Sequence, residues 1–439
     1  MEKLFFCAKN LADYLTPLHK LAGKDIVDLK SKGLLETDNV QTLFRAVIKT
    51  HFHDERYFDA PISEEIVTGI EGVKLDFNVG LRLEVPAGNW RVKISDADSG
   101  MVYYNKNISD TRLNSLESYY INWKIEIFFD GQKVFDYTLN LKNKPVLMFI
   151  PKIGMGDVLS MLPYIEEFRR QHNCKLSIIL PEYLREFAEY LYPKFIFEKE
   201  ITYKHLATYP LTMPSNMLPV WPVDLRNYPL GRNVGIALGL NYIAPKPKFE
   251  PIEPPLITDP YVCIAVQASH PKKTWMYPNG WDIVVDYLKI LGYRVLCIDR
   301  HLEVGNDEIK TAKPDGAEDL TGDFSIMERA NTIYYAEFFI GLGSGLAWVA
   351  DIVNCPVVLI CGFSQDWCEF YTPYRVANRI VCNGCFNNIN VSYLNEKCPF
   401  HAGTEREFEC QKKISPRQVI NAIERLIINE HLIPPVLSI

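Results

Sequence analysis

Hydrophobic positions along the chain fall into successive textures. Residues 1–70 mix a helical spacing, NLADYLTPLHKLAGKDIVDLKSKGLL, with irregular sequence, and they suggest no chemistry. From 71 to 144 the pattern alternates. VKLDFNVGLRLEV, NWRVKI, YYINWKIEIFF and KVFDYTLNL are parted by PAGN, DADSG and FDGQ turns, which predicts a small antiparallel all-β domain. At Pro145 the period changes: VLMFIP and KLSIILP are continuous apolar runs flanking the helical VLSMLPYIEEFRRQ, as a β-α-β unit requires.

A Pro-rich passage, APKPKFEPIEPPLITDP, separates this lobe (145–255) from a second α/β lobe (256–380). There YVCIAVQAS, NGWDIVVDYLKILG, YRVLCID, SIMERANTIYYA, FFIGLGS, LAWVADIV and CPVVLICG alternate strand and helix. The expected fold class is therefore α/β, with two Rossmann-type lobes facing each other across a cleft at the carboxyl ends of their strands. A four-cysteine segment (381–411) follows, then a C-terminal helical segment (412–439), with Ser415 as cap and Pro416 in its first position.

Composition narrows this picture. The 439 residues exceed what one core normally organises. A net charge of -7 without a basic run argues against nucleic acid as a partner. No stretch reaches the apolar length of a membrane helix and no signal-type h-region opens the chain, so a cytoplasmic protein is expected. Thiols stay reduced in that compartment, so clustered cysteines read as a metal site in preference to disulfides.

Three segments carry candidate chemistry. In IPKIGMGDVLSMLP, Gly154, Met155, Gly156 and Asp157 form a strand-to-helix junction, where a turn and free helix N-terminal amides suit an oxygen or phosphate. Asp157 reads either as a first-turn carboxylate or as a general base at the cleft. In QASHPKKTW, Lys272 and Lys273 could neutralise a diphosphate, with Thr274 adding a hydroxyl donor, or the lysines could be ordinary solvated charge. In FFIGLGSGLAW, Gly343, Ser344, Gly345 and Leu346 form a second amide nest, with a simple tight turn as the alternative. Neither GxGxxG nor a P-loop is present.

Four of the eleven cysteines lie in the late segment: Cys382 and Cys385 with two residues between them, then Cys398 and Cys410. Four thiolates can close around one tetrahedral ion, zinc by default and iron as the alternative, with His401 as a substitute ligand. A closed shell implies a structural role outside the active centre.

Together the GMGD junction, the SHPKKTW loop, the GSGLAWVADIVNCPVVLICGFS segment and the cysteine finger resemble the bacterial autotransporter heptosyltransferases, relatives of the lipopolysaccharide heptosyltransferases, over about residues 72–430. The resemblance implies a GT-B-like catalytic region behind a β-rich domain and a finger binding one iron per subunit. It also implies a large homo-oligomer such as a dodecamer, and transfer of heptose from ADP-heptose to serines of autotransporter adhesins. Asp157 then matches the catalytic acid/base, Lys273 in preference to Lys272 the donor-phosphate lysine, and Cys382, Cys385, Cys398 and Cys410 the iron ligands. Trp348 stands where the lipopolysaccharide relatives usually carry His. An inverting single displacement is expected, against two rivals: a GT-B enzyme acting on lipid or polysaccharide, and a non-catalytic nucleotide-binding assembly protein.

Overall fold

The computed structural model describes residues 2–5, 60–115, 117–212, 221–255, 257–305, 309–391 and 397–437. The helical reading of the first 70 residues lies mostly outside them. The strand-rich part contains β1 (Glu2–Phe5), β2 (Lys74–Asn78), β3 (Arg82–Val85), β4 (Trp90–Asp96), β5 (Val102–Ile108), β6 (Thr111–Ser115), β7 (Trp123–Phe129) and β8 (Gln132–Thr138). Strands β4, β5, β7 and β8 form an antiparallel sheet in the order β5-β4-β7-β8. Alternation explains its one-sided core: Trp90, Val92 and Ile94 point inward opposite Ile125 and Ile127, while Arg91 and Lys93 remain partly exposed.

The other strands of this part do not stay with it. The first lobe contributes β9 (Pro145–Phe149), α1 (Met155–His172), β10 (Lys175–Ile179), α2 (Arg185–Leu191), β11 (Ile196–Phe197), β12 (Ala207–Pro210) and α3 (Leu230–Ala237). Its sheet runs β1-β6-β3-β2-β12-β9-β10-β11, with β2 beside β12 in parallel. The break expected at residue 144 therefore does not separate two sheets. KLDFN in β2 is buried from Leu75 to Asn78, so the strand needs cover on both faces and finds it as a continuation of the lobe sheet. The Asp76–Arg82 ion pair, fully buried at 2.5 Å, is satisfied there by further bonds from Arg82 to the Ala60 and Pro61 carbonyls.

The second lobe comprises β13 (Tyr261–Ala265), α4 (Gly280–Ile290), β14 (Arg294–Cys297), a small hairpin of β15 (Glu303–Gly305) and β16 (Lys310–Ala312), β17 (Glu318–Asp319), α5 (Ile326–Tyr334), β18 (Phe338–Leu342), α6 (Gly345–Ile352), β19 (Val357–Ile360) and β20 (Arg375–Val376). Apart from the hairpin, its strands pair in parallel in the order β17-β14-β13-β18-β19-β20. Then come α7 (Glu409–Lys412) and α8 (Pro416–Asn429). Ser415 and Gln418 form a capping box at α8, and Pro416 occupies its first turn. Val419, Ile423 and Leu426 of α8 are fully buried in the core of this lobe, each adding about 1.5–3 kcal/mol of burial. Among the described residues no helix is long and apolar enough to cross a membrane.

The lobes meet along α1 and α6, and one apolar cluster runs from Val158 and Leu162 through to Ala347 and Ala350. That shared core sets the facing strand ends in register around the cleft.

Candidate functional site

Each lobe presents a glycine-bearing junction to the same cleft of about 620 Å³, which is lined by Gly154 to Asp157 from one side and Gly343 to Leu346 with Trp348 from the other. Small residues are required because the two junctions interlock. A Cβ on Gly156 would lie 2.5 Å from the Trp348 ring, and one on Gly345 would run into the Met155 side chain. Trp348 in turn packs edge-on against Phe370, so the indole forms a wall of the cleft.

Asp157 is in the first turn of α1, three residues after the cap residue Gly154, whose amide it accepts. It is thus a first-turn carboxylate that also faces the cleft. Partial burial holds its carboxyl above the usual carboxylate range; the Lys273 ammonium opposes this, the Glu369 carboxylate reinforces it, and the Gly154 amide opposes it. A carboxylate with raised pKa is a stronger base.

The neighbouring lysines part company. The short turn Pro271–Lys273 follows β13 and is capped by His270. Lys273 lines the cleft and interacts electrostatically with Asp157. Lys272 is 1% exposed and does not line the cleft. Its ammonium is 5.7 Å from the centre of the Phe363 ring and interacts with Cys385 and Cys398, while its carbonyl accepts from Gln411 at 2.6 Å. Burial lowers its pKa. Thr274, also buried, lines a separate cavity of about 650 Å³ instead. Consecutive residues in a tight turn diverge, and a sequence pair cannot reveal which one faces the ligand.

Two further carboxylates, Asp299 and Glu369, also line the cleft. Asp299 follows β14 and is buried; it accepts from the Val266 and Gln267 amides at 2.7 and 3.2 Å, holding the loop that leads to His270 and Lys273. Burial pushes its carboxyl up to about 6 against those amides. Its place at a strand's carboxyl end, in YRVLCID, was the one available hint. Glu369 comes from an irregular segment after β19; its Oε1 accepts from Ser364 Oγ at 2.9 Å.

The finger is closer to the cleft than its distance in sequence suggests. Phe386, next to Cys385, lines the cleft and packs against Phe363 with ring centres 5.4 Å apart. Gly384 donates its amide to the Gly362 carbonyl, and Gln365 donates to Asn387 Oδ1. The expectation that the finger stands outside the active centre therefore changes: it forms one wall of it, because the chain returns after β20 beside the Cys361–Gln365 turn.

Within the finger, Cys385 is pushed up to about 11 by burial, with Lys272 opposing and Cys398 and Cys382 reinforcing. Cys382 and Cys410 are raised as well, by burial first and then by neighbouring thiols. Thiols that would repel one another once ionised, beside a buried ammonium, suit a thiophilic cation, which would hold them as thiolates and cross-link a segment with little core of its own. Among the described residues the group with ligand atoms within 4.8 Å of one another is Cys382, His401 and Glu409; of the four expected thiols only Cys382 belongs to it, and Cys385, Cys398 and Cys410 are not drawn into one ligand set with it.

Residues 69–131 match the family "Glycosyltransferase TibC, N-terminal domain" and residues 238–399 match "Glycosyltransferase family 9 (heptosyltransferase)". The autotransporter heptosyltransferase Aah of Escherichia coli is 39% identical over 378 residues, 84% of this chain and 97% of the relative. A counterpart from Citrobacter rodentium, BAHTCr, is 37% identical over 383 residues, 84% of this chain and 93% of the relative. The inactive autotransporter heptosyltransferase BimC of Burkholderia thailandensis is 32% identical over 380 residues, 84% of this chain and 90% of the relative. The crystal structure of dodecameric iron-containing heptosyltransferase TibC in complex with ADP-D-beta-D-heptose superposes with a TM-score of 0.78 at 35% identity, covering 83% of this chain and 97% of that one. On this similarity in sequence and fold, the chain belongs to the autotransporter heptosyltransferases.

Proposed function

We propose that the protein transfers heptose from ADP-heptose to serine hydroxyls of an autotransporter adhesin by a single displacement that inverts the anomeric configuration. The observation that carries this reading is the pairing, in one cleft, of a carboxylate of raised pKa with a cleft-facing ammonium, Asp157 with Lys273. Asp157 takes the proton from the acceptor oxygen as that oxygen attacks the anomeric carbon. The bond to the β-phosphate oxygen breaks on the opposite side of the carbon. Lys273 and the helix N-terminal amides of Gly345 and Leu346 stabilise the departing ADP, the Ser344 amide being taken by the Leu342 carbonyl. Met155 and Trp348 fill the seam between the junctions and keep water from the reacting carbon.

Cys382, Cys385, Cys398 and Cys410 would hold one iron, as suits a relative of the iron-containing TibC, with His401 and Glu409 adjacent. The ion supplies a cross-link for the wall that carries Phe386. A homo-oligomer fits the large apolar side chains left exposed beside or within the finger: Ile380 is 97% and Tyr371 86% exposed, with Trp367, Ile389 and Phe400 also open.

A non-catalytic reading is kept alive by the inactive relative BimC. Mass spectrometry of an adhesin fragment incubated with protein and ADP-heptose separates the two. A gain of one or more heptoses is expected; ADP-heptose binding without any mass gain would overturn the transferase reading. In the same preparation, elemental analysis giving zinc and no iron would overturn the metal assignment.

A further inference from the structure

The junction in the second lobe has no side chain of its own at Gly343, yet the space a side chain would fill is occupied. An ideal Cβ on Gly343 would lie 2.5 Å from Glu369 Oε1 and 3.1 Å from Oε2. Glu369 thus lays its carboxylate over the bare Gly343 backbone and lines the cleft there. Its Oε1 is held by Ser364 Oγ at 2.9 Å and approached by Cys361 Sγ at 3.6 Å, and Ser364 Oγ is fixed in turn by Arg375 Nη2 at 2.9 Å. The second oxygen, Oε2, is out of contact with solvent and has no hydrogen-bond partner among the described residues. A buried acceptor left unmatched in this way is destabilising unless a ligand completes it.

We propose that Glu369 reads the hydroxyls of the transferred sugar, its Oε2 accepting from a sugar O–H while Oε1 stays tied to Ser364. A carboxylate suits the task because each of its oxygens is an acceptor only, matching the donor hydroxyls of a polyol. The transferred sugar is favoured over the ribose of the nucleotide because Glu369 lies within electrostatic reach of Asp157, the group assigned to the anomeric carbon. The assignment rests on the transferase reading but is tested separately. The groups facing Asp157 are Lys273, Glu369, the Gly154 amide and Tyr183, so removing the Glu369 charge leaves the lysine less opposed.

The test is calorimetric binding of ADP and of ADP-heptose to the full-length protein, with steady-state transfer measured in parallel. Wild-type transfer decides the transferase reading; the ratio of the two affinities in Glu369→Gln decides this one. For Glu369→Gln the affinity for ADP-heptose should fall about 10- to 100-fold, the range for a hydrogen bond to a charged group, while that for ADP stays within about twofold. The acid limb of kcat/KM should move to lower pH, because the charge that raises Asp157 is gone. Glu369→Asp keeps the charge and should keep the limb in place while losing part of the sugar affinity. Equal weakening of ADP and ADP-heptose, or unchanged affinity for both, overturns the proposal. Should the Gln variant fail to fold, Gly343→Ala, which displaces the carboxylate without altering it, must give the same selective loss.

Discussion

The two glycine junctions solve one problem by different means. In the first lobe, Gly154 leaves room for a carboxylate borne by its own helix: a Cβ there would lie 2.6 Å from Asp157 Oδ2. In the second lobe, Gly343 leaves room for a carboxylate that arrives from 26 positions later, Glu369. The first arrangement is local, built from the turn and the helix N-terminus. The second depends on the segment after β19 folding back against β18, so it exists only when the lobe is assembled. A motif within four residues can be read from a sequence; a carboxylate delivered by tertiary packing cannot.

The largest expected effect breaks the local side. Asp157→Asn should lower transfer by about 10²- to 10⁴-fold, the usual contribution of a positioned base, while ADP binding persists. The same substitution should raise the thermal midpoint at neutral pH. The folded pKa of Asp157 is raised, so the penalty for its charge is absent below the ordinary carboxylate value of about 3.9 and grows as pH rises through the folded pKa. The advantage of the Asn variant should therefore vanish in acid. Equal midpoints for the two proteins at neutral pH would contradict the burial argument, and retained turnover would remove Asp157 from the mechanism.

Lys273→Ala should come next, with a loss of about 10²- to 10³-fold, the range seen on removing one stabilising donor from a developing charge. A drop in affinity for ADP should accompany it; unchanged kinetics would place the phosphate elsewhere. Gly154→Ala and Gly343→Ala then compare the junctions directly. Neither glycine has a positive φ, so the backbone tolerates Ala and the damage comes from displacing the carboxylate above it. A shift of about 1 Å can cost about 10²-fold. For Gly154→Ala the loss should fall on turnover and for Gly343→Ala on sugar affinity. The same defect in both would erase the distinction drawn between the two carboxylates.

Lys272→Met should have the smallest effect on transfer, a few-fold at most, since its ammonium does not line the cleft. Its consequence should appear in the finger, as reduced metal content by elemental analysis, because the buried cation beside Cys385 and Cys398 is lost. A Lys272→Met protein with normal metal content and Lys273-like kinetics would reverse the assignment of the pair.

Much was legible without coordinates. The shift from period 2 to continuous apolar runs at Pro145 marked where the lobe sheet runs through the core, and Ser415 with Pro416 marked the start of α8, since both signals act over a few residues. The clustering of Cys382, Cys385, Cys398 and Cys410 in one segment was visible as spacing, but the nearness of His401 and Glu409 to Cys382 was not. Less visible was the capture of β2, β3 and β6 by the lobe sheet: alternation identifies a strand and its buried face but not its neighbour, which is chosen by long-range hydrogen bonding such as Phe77 N–H to the Leu206 carbonyl.

The sequence by itself determined the local chemistry: two glycine junctions, a lysine pair after a strand, four thiols and the family they resemble. Tertiary structure alone decided that Lys273 faces the cleft and Lys272 the thiols, that Phe386 makes the finger a wall of the site, and that Asp299 and Glu369 enter it. The physical reason is range. A cap or turn is fixed by bonds a few residues apart, whereas the environment of a side chain is set by segments more than a hundred residues away, as when Gln411 meets the Lys272 carbonyl at 2.6 Å.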